Sequence, residues 1–230
     1  MKLVIANKCY SSWSLRPWLL MRHFGIAFEE VQVPFGPTFD DPAWKAQIAR
    51  YTPAGKVPAL VDGDITVWES LAIIDYLADT HPELPIWPRE RTARAMARAM
   101  AAEMHAGFAA LRGACPMNLG KKFPARDYGP AVARDVVRIA VAWREARERF
   151  GAGGPFLFGA FSAADAMYAP VVTRLETYSF PVDASTRAYM DAILDLPAFR
   201  AWRKEALAEP WIVAEDEVDA EPIANYRSSA

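Results

Sequence analysis

Two hydroxyls stand side by side near the start of the chain, Ser11 and Ser12, between a short apolar run and an apolar pattern of helical period. A hydroxyl at a strand-to-helix turn can donate a hydrogen bond to a bound anion, and the positive end of the following helix reinforces it. A second stretch offers matching chemistry. Lys56-Val57-Pro58-Ala59-Leu60-Val61-Asp62-Gly63-Asp64-Ile65-Thr66-Val67-Trp68-Glu69-Ser70 holds two apolar runs about an Asp-Gly-Asp turn, the pattern of a β-hairpin. Pro58 has no N–H for a strand ladder, so the backbone there lies at an edge or faces a ligand. Ser70 directly precedes the helical pattern Leu71 to Leu77 and is expected as its N-cap. Val57 would pair its backbone with an extended peptide, and the helix start at Ser70 would hold a carboxylate. Cys9 is the rival nucleophile, two residues before the serine pair; the alternative for it is a small buried hydrophobe.

These groups need a scaffold. Lys2 to Ala6 reads as a buried strand, Asn7 to Ser12 as a turn, Ser14 to Phe24 as a helix with Pro17 in its first turn and Gly25 at its end. Phe28 to Pro34 reads as a second strand. Residues 35–54 read as a loop with one short helix at Trp44 to Ile48, before the hairpin and its helix. The order β-α-β-loop-β-β-α is that of a thioredoxin-like domain, placed at residues 1–78. Pro82, Pro85 and Pro88 mark a linker at residues 79–90. Residues 91–230 read as an all-helical bundle, with helices at Arg91 to Leu111, Pro130 to Phe150, after the capping box Ser162-Ala163-Ala164-Asp165, and at Pro197 to Leu207. Glu215 to Glu221 and the last residues read as a partly disordered tail.

The set resembles the glutathione S-transferase superfamily over nearly the whole chain. Val57-Pro58-Ala59-Leu60, a hairpin and Glu69-Ser70 are similar to the glutathione-binding half of that family, and Ser11-Ser12-Trp13-Ser14 to its serine-dependent, zeta-like branch. The resemblance implies glutathione as cosubstrate and a transferase that adds its thiolate to an electrophilic small molecule, in a cytoplasmic homodimer. It implies a cis Pro58, with Val57 and Pro58 on the cysteinyl backbone, Ser70 on the γ-glutamyl carboxylate, Glu69 on the ammonium, and Lys45 or Lys56 on the glycyl carboxylate. Arg16 follows Ser12 by four residues and Ser11 by five, both offsets that the family uses, so either serine is a candidate to hold the thiolate, with Ser12 favoured. The energetics suffice. Lowering a thiol from its usual pKa of about 8.5 by roughly two units takes about 2.7 kcal/mol. A hydrogen bond to an ion supplies roughly 1.5–3 kcal/mol, and a helix terminus about 0.3–1 kcal/mol. Zeta-like members read Ser-Ser-Cys-Ser. Trp13 replaces that cysteine here, so the branch's maleylacetoacetate isomerase activity remains an alternative to transfer. Trp13 covers the sulfur, shapes the acceptor pocket, or packs between the halves.

Composition limits the rest. At 230 residues, 53% hydrophobic and 23% charged, the chain can bury a core, and a net charge of −2 disfavours nucleic acid or an anionic membrane as partner. Two cysteines form no disulfide framework or CxxC zinc site, which points to a reducing compartment, and His23, His81 and His105 lack metal-ligand spacing, so no metal is expected. No run has transmembrane length, and the first residues are too poor in apolar character for a signal peptide. Ser162 and Asp165 are read as structural. Met104, Phe108 and Arg112 are expected on one helical face, each packed in the core, at a subunit contact or bordering the acceptor, and Arg91, Arg94 and Arg98 as a basic stripe, solvated or at a subunit contact. Two further readings stay open: a non-catalytic binding or scaffold protein of the same fold, and a Cys9-dependent thiol–disulfide oxidoreductase.

Overall fold

The computed structural model describes residues 1–36 and 38–227. Its first half is a four-stranded mixed sheet with helices on both faces: β1 (Lys2–Ile5), α1 (Ser12–Phe24), β2 (Glu29–Gln32), α2 (Pro42–Ile48), β3 (Ala59–Asp62), β4 (Ile65–Trp68) and α3 (Ser70–Thr80). The strand order is β2-β1-β3-β4, with β1 parallel to β2 and antiparallel to β3. Alternation along the strands decides what each face buries. Leu3, Ile5 and Leu60 enter the main core with Leu15, Leu19, Ile73 and Leu77 of α1 and α3, whereas Val4 and Ala59 meet Trp44 and Ile48 of α2. The hairpin registers Asp62 against Ile65, so Gly63-Asp64 is a two-residue loop and Gly63 takes the positive φ of +61° that such a turn requires. The Val57-Pro58 bond is cis.

The second half is helical: α4 (Arg91–Ala106), α5 (Ala109–Ala114), α6 (Pro130–Phe150), α7 (Ala163–Thr177), α8 (Ala184–Leu194) and α9 (Pro197–Ala208). Helix α7 is buried along its length and packs on both α1 and α4, which ties the halves together. Its capping box is present: Asp165 accepts from the Ser162 N–H at 2.9 Å and from the Leu157 N–H at 3.1 Å.

Several elements differ from the sequence reading. The helix expected from Arg91 to Leu111 is two helices, because Gly107 leaves helical geometry and Phe108 turns left-handed at φ 55°. The break removes Met104, Phe108 and Arg112 from a common face. Met104 is in the core and Arg112 points to a cavity described below. Helix α8, started by Asp183 accepting from the Thr186 N–H, falls in a stretch for which the sequence reading assigns no element. The basic stripe on α4 is partly neutralised within the chain, since Arg98 pairs with Asp75 and Arg94 donates to the carbonyls of Pro88 and Arg89.

The largest correction concerns the tail. Residues 209–227 run back across both halves, with Ala224–Asn225 (β6) pairing antiparallel with Lys121–Lys122 (β5). The Arg227 guanidinium binds the Tyr10 hydroxyl at 2.9 Å and the Trp211 carbonyl at 2.8 Å. Charge repulsion in the acidic stretch is relieved by partners far away in sequence, so local composition misleads. Ser228, Ser229 and Ala230 lie outside the described residues.

Candidate functional site

Ser11 and Ser12 sit where the β1–α1 loop becomes helix, Ser11 as N-cap residue and Ser12 as the first helical residue. Neither hydroxyl caps the helix. Ser11 Oγ lies 2.7 Å from Ser14 Oγ, which also accepts from the Ala6 N–H at 3.3 Å. Ser12 Oγ accepts from the Arg174 guanidinium at 3.3 Å, so its own proton is uncommitted. The loop is pinned from the far end of the chain. The Glu209 carboxylate accepts from the backbone N–H of Lys8 at 2.7 Å and of Cys9 at 3.1 Å, and Trp202 donates to the Lys8 carbonyl at 2.9 Å. Lys8 Nζ, nearly buried between Trp18 and Trp202, pairs with Glu30 at 2.5 Å and with Glu205.

Two cavities meet around Trp13. The larger, about 470 Å³, takes in Ser11, Ser12, Lys45, Arg112, Arg174 and Asp216, with an aromatic wall of Tyr10, Phe35, Phe39 and Trp44. The smaller, about 290 Å³, takes in Pro58, Glu69, Ser70 and His105. Trp13, Lys56, Val57 and Arg112 border both. All nine residues expected from the sequence therefore line one continuous cleft. Ser70 is not the N-cap; it is the first residue of α3, and Glu69 precedes it with a strained φ of 68°. The sequence pattern is the same for either assignment, and the β4 strand running up to Trp68 sets the frame. The Ser70 hydroxyl is buried and has no partner among the described residues. A buried orphan hydroxyl facing a cleft is suited to a ligand, because leaving it unpaired is costly.

The electrostatics of the larger cavity are mainly cationic, with Asp216 the one carboxylate on its lining among the described residues. Arg16 is fully buried behind Trp13, its guanidinium 4.0 Å from the ring centroid. It donates to the carbonyls of Met167 at 3.0 Å and Ser12 at 2.8 Å, and one of its terminal nitrogens has no partner among the described residues. Arg174, 5% exposed, donates to the carbonyls of Cys115 and Pro170 and to Ser12 Oγ. Arg112 donates to the carbonyls of His105 and Gly107. No carboxylate within 4 Å neutralises any of the three among the described residues. Burial lowers Arg174 to about 10 and holds Arg16 well below the usual arginine range, with the neighbouring cations adding to the effect on Arg16.

Several functional groups carried no readable signal. Arg174, Asp216 and Tyr10 reach the cleft from α7, the tail and the β1–α1 loop. His105 comes from α4, its Nε2 3.6 Å from the Glu69 carboxylate and its buried Nδ1 without a partner. No spacing rule connects these positions. Tyr10 is already committed: its hydroxyl is 2.6 Å from Glu217, and burial followed by that bond raises its pKa far above the ordinary phenol value. Cys9 is fully buried, and desolvation pushes its thiol up to about 11. A thiol so raised is a poor nucleophile near neutrality. No group of His, Cys, Asp and Glu suited to a metal occurs among the described residues.

Comparison with known proteins agrees with this fold. The family model described as glutathione S-transferase, N-terminal domain, matches residues 10–80, and that described as glutathione S-transferase, C-terminal domain, matches residues 129–205; together they span well over half of the chain. A Caenorhabditis elegans protein named as a probable maleylacetoacetate isomerase is 26% identical over 195 residues, 83% of this chain and 86% of its own length. Glutathione S-transferase Z1 of Arabidopsis thaliana is 36% identical over 95 residues, 39% of this chain and 41% of its own. Among solved structures, a Burkholderia glutathione transferase homologue crystallised with bound glutathione superposes with a TM-score of 0.67 at 20% identity, covering 89% of this chain and 97% of that one. At that identity the likeness shows the fold.

Proposed function

Since the chain belongs to the glutathione S-transferase family, we propose that it holds glutathione along the joined cavities and directs its sulfur at an electrophilic small molecule. The observation that supports this most is the cluster of Arg16, Arg112 and Arg174 about Ser12 without a carboxylate partner. A buried cation without a counter-ion costs several kcal/mol, and an anionic sulfur beside Ser12 would offset that cost. The cosubstrate supplies the thiol nucleophile, and the chain's own groups set its ionisation. Ser12 donates its free proton to the sulfur, and the guanidiniums and the α1 terminus favour the charged form. Ser70, at the other end of the cleft, takes the γ-glutamyl carboxylate on its unpaired hydroxyl. Glu69 takes the ammonium, and the Val57 backbone pairs with the cysteinyl unit. Lys45 and Lys56 border the larger cavity within the field of a glycyl carboxylate.

Aromatic walls with cations at the base suit a flat electrophile bearing an anionic group. The test is titration of protein-bound glutathione by thiolate absorbance, together with turnover of an aryl halide. A bound thiol that ionises like the free one refutes the activating role of the serines and arginines. A second reading, double-bond isomerisation by reversible addition of the same thiolate, is favoured by the Caenorhabditis elegans relative's name. It predicts that a cis-unsaturated diacid is converted to its trans isomer with glutathione unconsumed. For assembly we propose a homodimer. The exposed Ile65 and Trp68 of β4 and Val137 and Val141 of α6 provide apolar surface for it, and sedimentation velocity reads the mass directly.

A further inference from the structure

The tail presents three consecutive acids, Glu215, Asp216 and Glu217, and treats them differently. Glu215 accepts from the Phe39 N–H at 2.7 Å. Glu217 accepts from the Tyr10 hydroxyl at 2.6 Å, Asn118 Nδ2 at 3.1 Å and Lys121 Nζ at 2.6 Å. The middle carboxyl is thus fixed by clamps on both sides, yet has no hydrogen bond or ion pair of its own among the described residues. It lines the same cavity as Ser11, Ser12, Arg112 and Arg174. No other carboxylate among the described residues lines that cavity. From this placement we propose that Asp216 is a catalytic proton donor to acceptors that gain a hydrogen when the sulfur adds.

The inference rests on the transferase reading and deepens it to a substrate class, the α,β-unsaturated carbonyl or carboxylate. Addition forms one sulfur–carbon bond and breaks the carbon–carbon π bond, whose electrons move to the carbonyl as an enolate that Arg174 and Arg112 face. The protonated Asp216 carboxyl then gives its proton to the enolate carbon. The proton lost from the glutathione thiol on ionisation goes to solvent, and Asp216 takes one back from solvent, so the sum is thiol plus acceptor giving adduct. Displacement on an aryl halide needs no such proton, because halide leaves instead. Desolvation, opposed by Arg174, raises the Asp216 carboxyl to about 7, so a substantial fraction is protonated near neutrality. The charged groups facing it are Arg174 from α7, Arg112 from α5, Lys45 and Lys56 across the cavity, and Glu215 and Glu217 beside it; the Tyr10 phenol is tied to Glu217.

The test compares two acceptors, an unsaturated ketone acid and an aryl halide, in the full chain and in Asp216→Asn. General acid catalysis is typically worth ~10²-fold or more, so in the variant the ratio of kcat/KM with the unsaturated acceptor to kcat/KM with the halide should fall by about that factor, a ratio that cancels any change in the shared thiolate. In the unaltered chain the ratio of the two rates should fall as pH rises through about 7, a readout that needs no variant and that cancels the shared thiolate ionisation. Equal loss with both acceptors, or a rate ratio flat with pH, overturns the proposal. Absence of turnover with the halide as well, in the unaltered chain, would refute the transferase reading itself.

Discussion

Replacing Ser12 by alanine isolates the hydroxyl from every other feature that favours the thiolate. Ser12 Oγ is committed only as an acceptor, from Arg174 at 3.3 Å. Its proton is therefore available to a sulfur, and its loss removes one donor to an ion. Such a bond is worth roughly 1.5–3 kcal/mol. At about 1.36 kcal/mol per unit, the bound thiol should rise by about 1–2 pKa units. It should remain below the free value, because Arg16, Arg174 and the α1 terminus are untouched. Ser11→Ala should move it less, since Ser11 Oγ and Ser14 Oγ share a 2.7 Å hydrogen bond that occupies one of the two protons. Ser12→Thr keeps the donor and should keep most of the shift. The assay is thiolate absorbance of the glutathione complex against pH, with kcat/KM for an aryl halide following the same curve. A Ser12→Ala complex that titrates like the unaltered protein refutes the assignment. A shift confined to Ser11→Ala would transfer the role to Ser11.

Three further substitutions test separate parts of the structure. Ser70→Ala removes a buried hydroxyl that has no partner among the described residues, so thermal stability should hold or rise while glutathione affinity drops roughly ten- to hundredfold; loss of stability with unchanged affinity would contradict the site. Cys9→Ala should leave transfer intact, given a thiol raised to about 11, and loss of glutathione-dependent disulfide reduction in this variant alone would restore the oxidoreductase alternative. Glu209→Gln places an amide N–H₂ against the backbone donors of Lys8 and Cys9, costing roughly 1–3 kcal/mol and lowering Tm by several degrees. Burial raises Glu209 above the ordinary glutamate value, so its contribution is full below the unfolded value and is lost as pH rises through the folded one. That part of the pH dependence of stability should be absent from Glu209→Gln, and an unaltered Tm and slope would show the contact to be idle.

What could be read in the sequence was local. The hairpin, the end of α1 at Gly25, the Ser162–Asp165 capping box and the bounds of α6 follow from turn chemistry, capping and helical period, which act over a few residues, whereas the cis bond at Pro58 follows only from the family resemblance. Ser11, Ser12, Val57 and Glu69-Ser70 were found because each sits at such a boundary. The cap at Ser70 was misplaced by one residue because Ser70 and Glu69 each suit a helix start, and only the strained φ of Glu69 distinguishes them. The break at Gly107-Phe108 was hidden by alanine and leucine on either side, whose helical propensity continues the pattern. Arg174, His105 and Asp216 were out of reach for a different reason. Each belongs to an element with its own local logic, and only tertiary packing brings Arg174 and Asp216 to the larger cavity and His105 to the smaller one that adjoins it at Trp13.

That packing also explains how a chain with a net charge of −2 presents a strongly cationic site. Some of its charges pair at the surface, as in Arg138–Glu103 and Arg187–Glu176. Arg16 and Arg174 are withheld from that pairing and held on carbonyls and one hydroxyl. Taking guanidiniums out of water with no carboxylate in direct contact weakens the free protein, and each lies below its usual pKa because burial leaves its charge poorly accommodated, only partly offset at Arg174 by Asp216. An anion arriving beside Ser12 relieves that strain, whereas a neutral thiol does not. The free protein is thus built to bind the ionised sulfur more tightly than the protonated one, and by linkage that difference in affinity is the same quantity as the lowered thiol pKa.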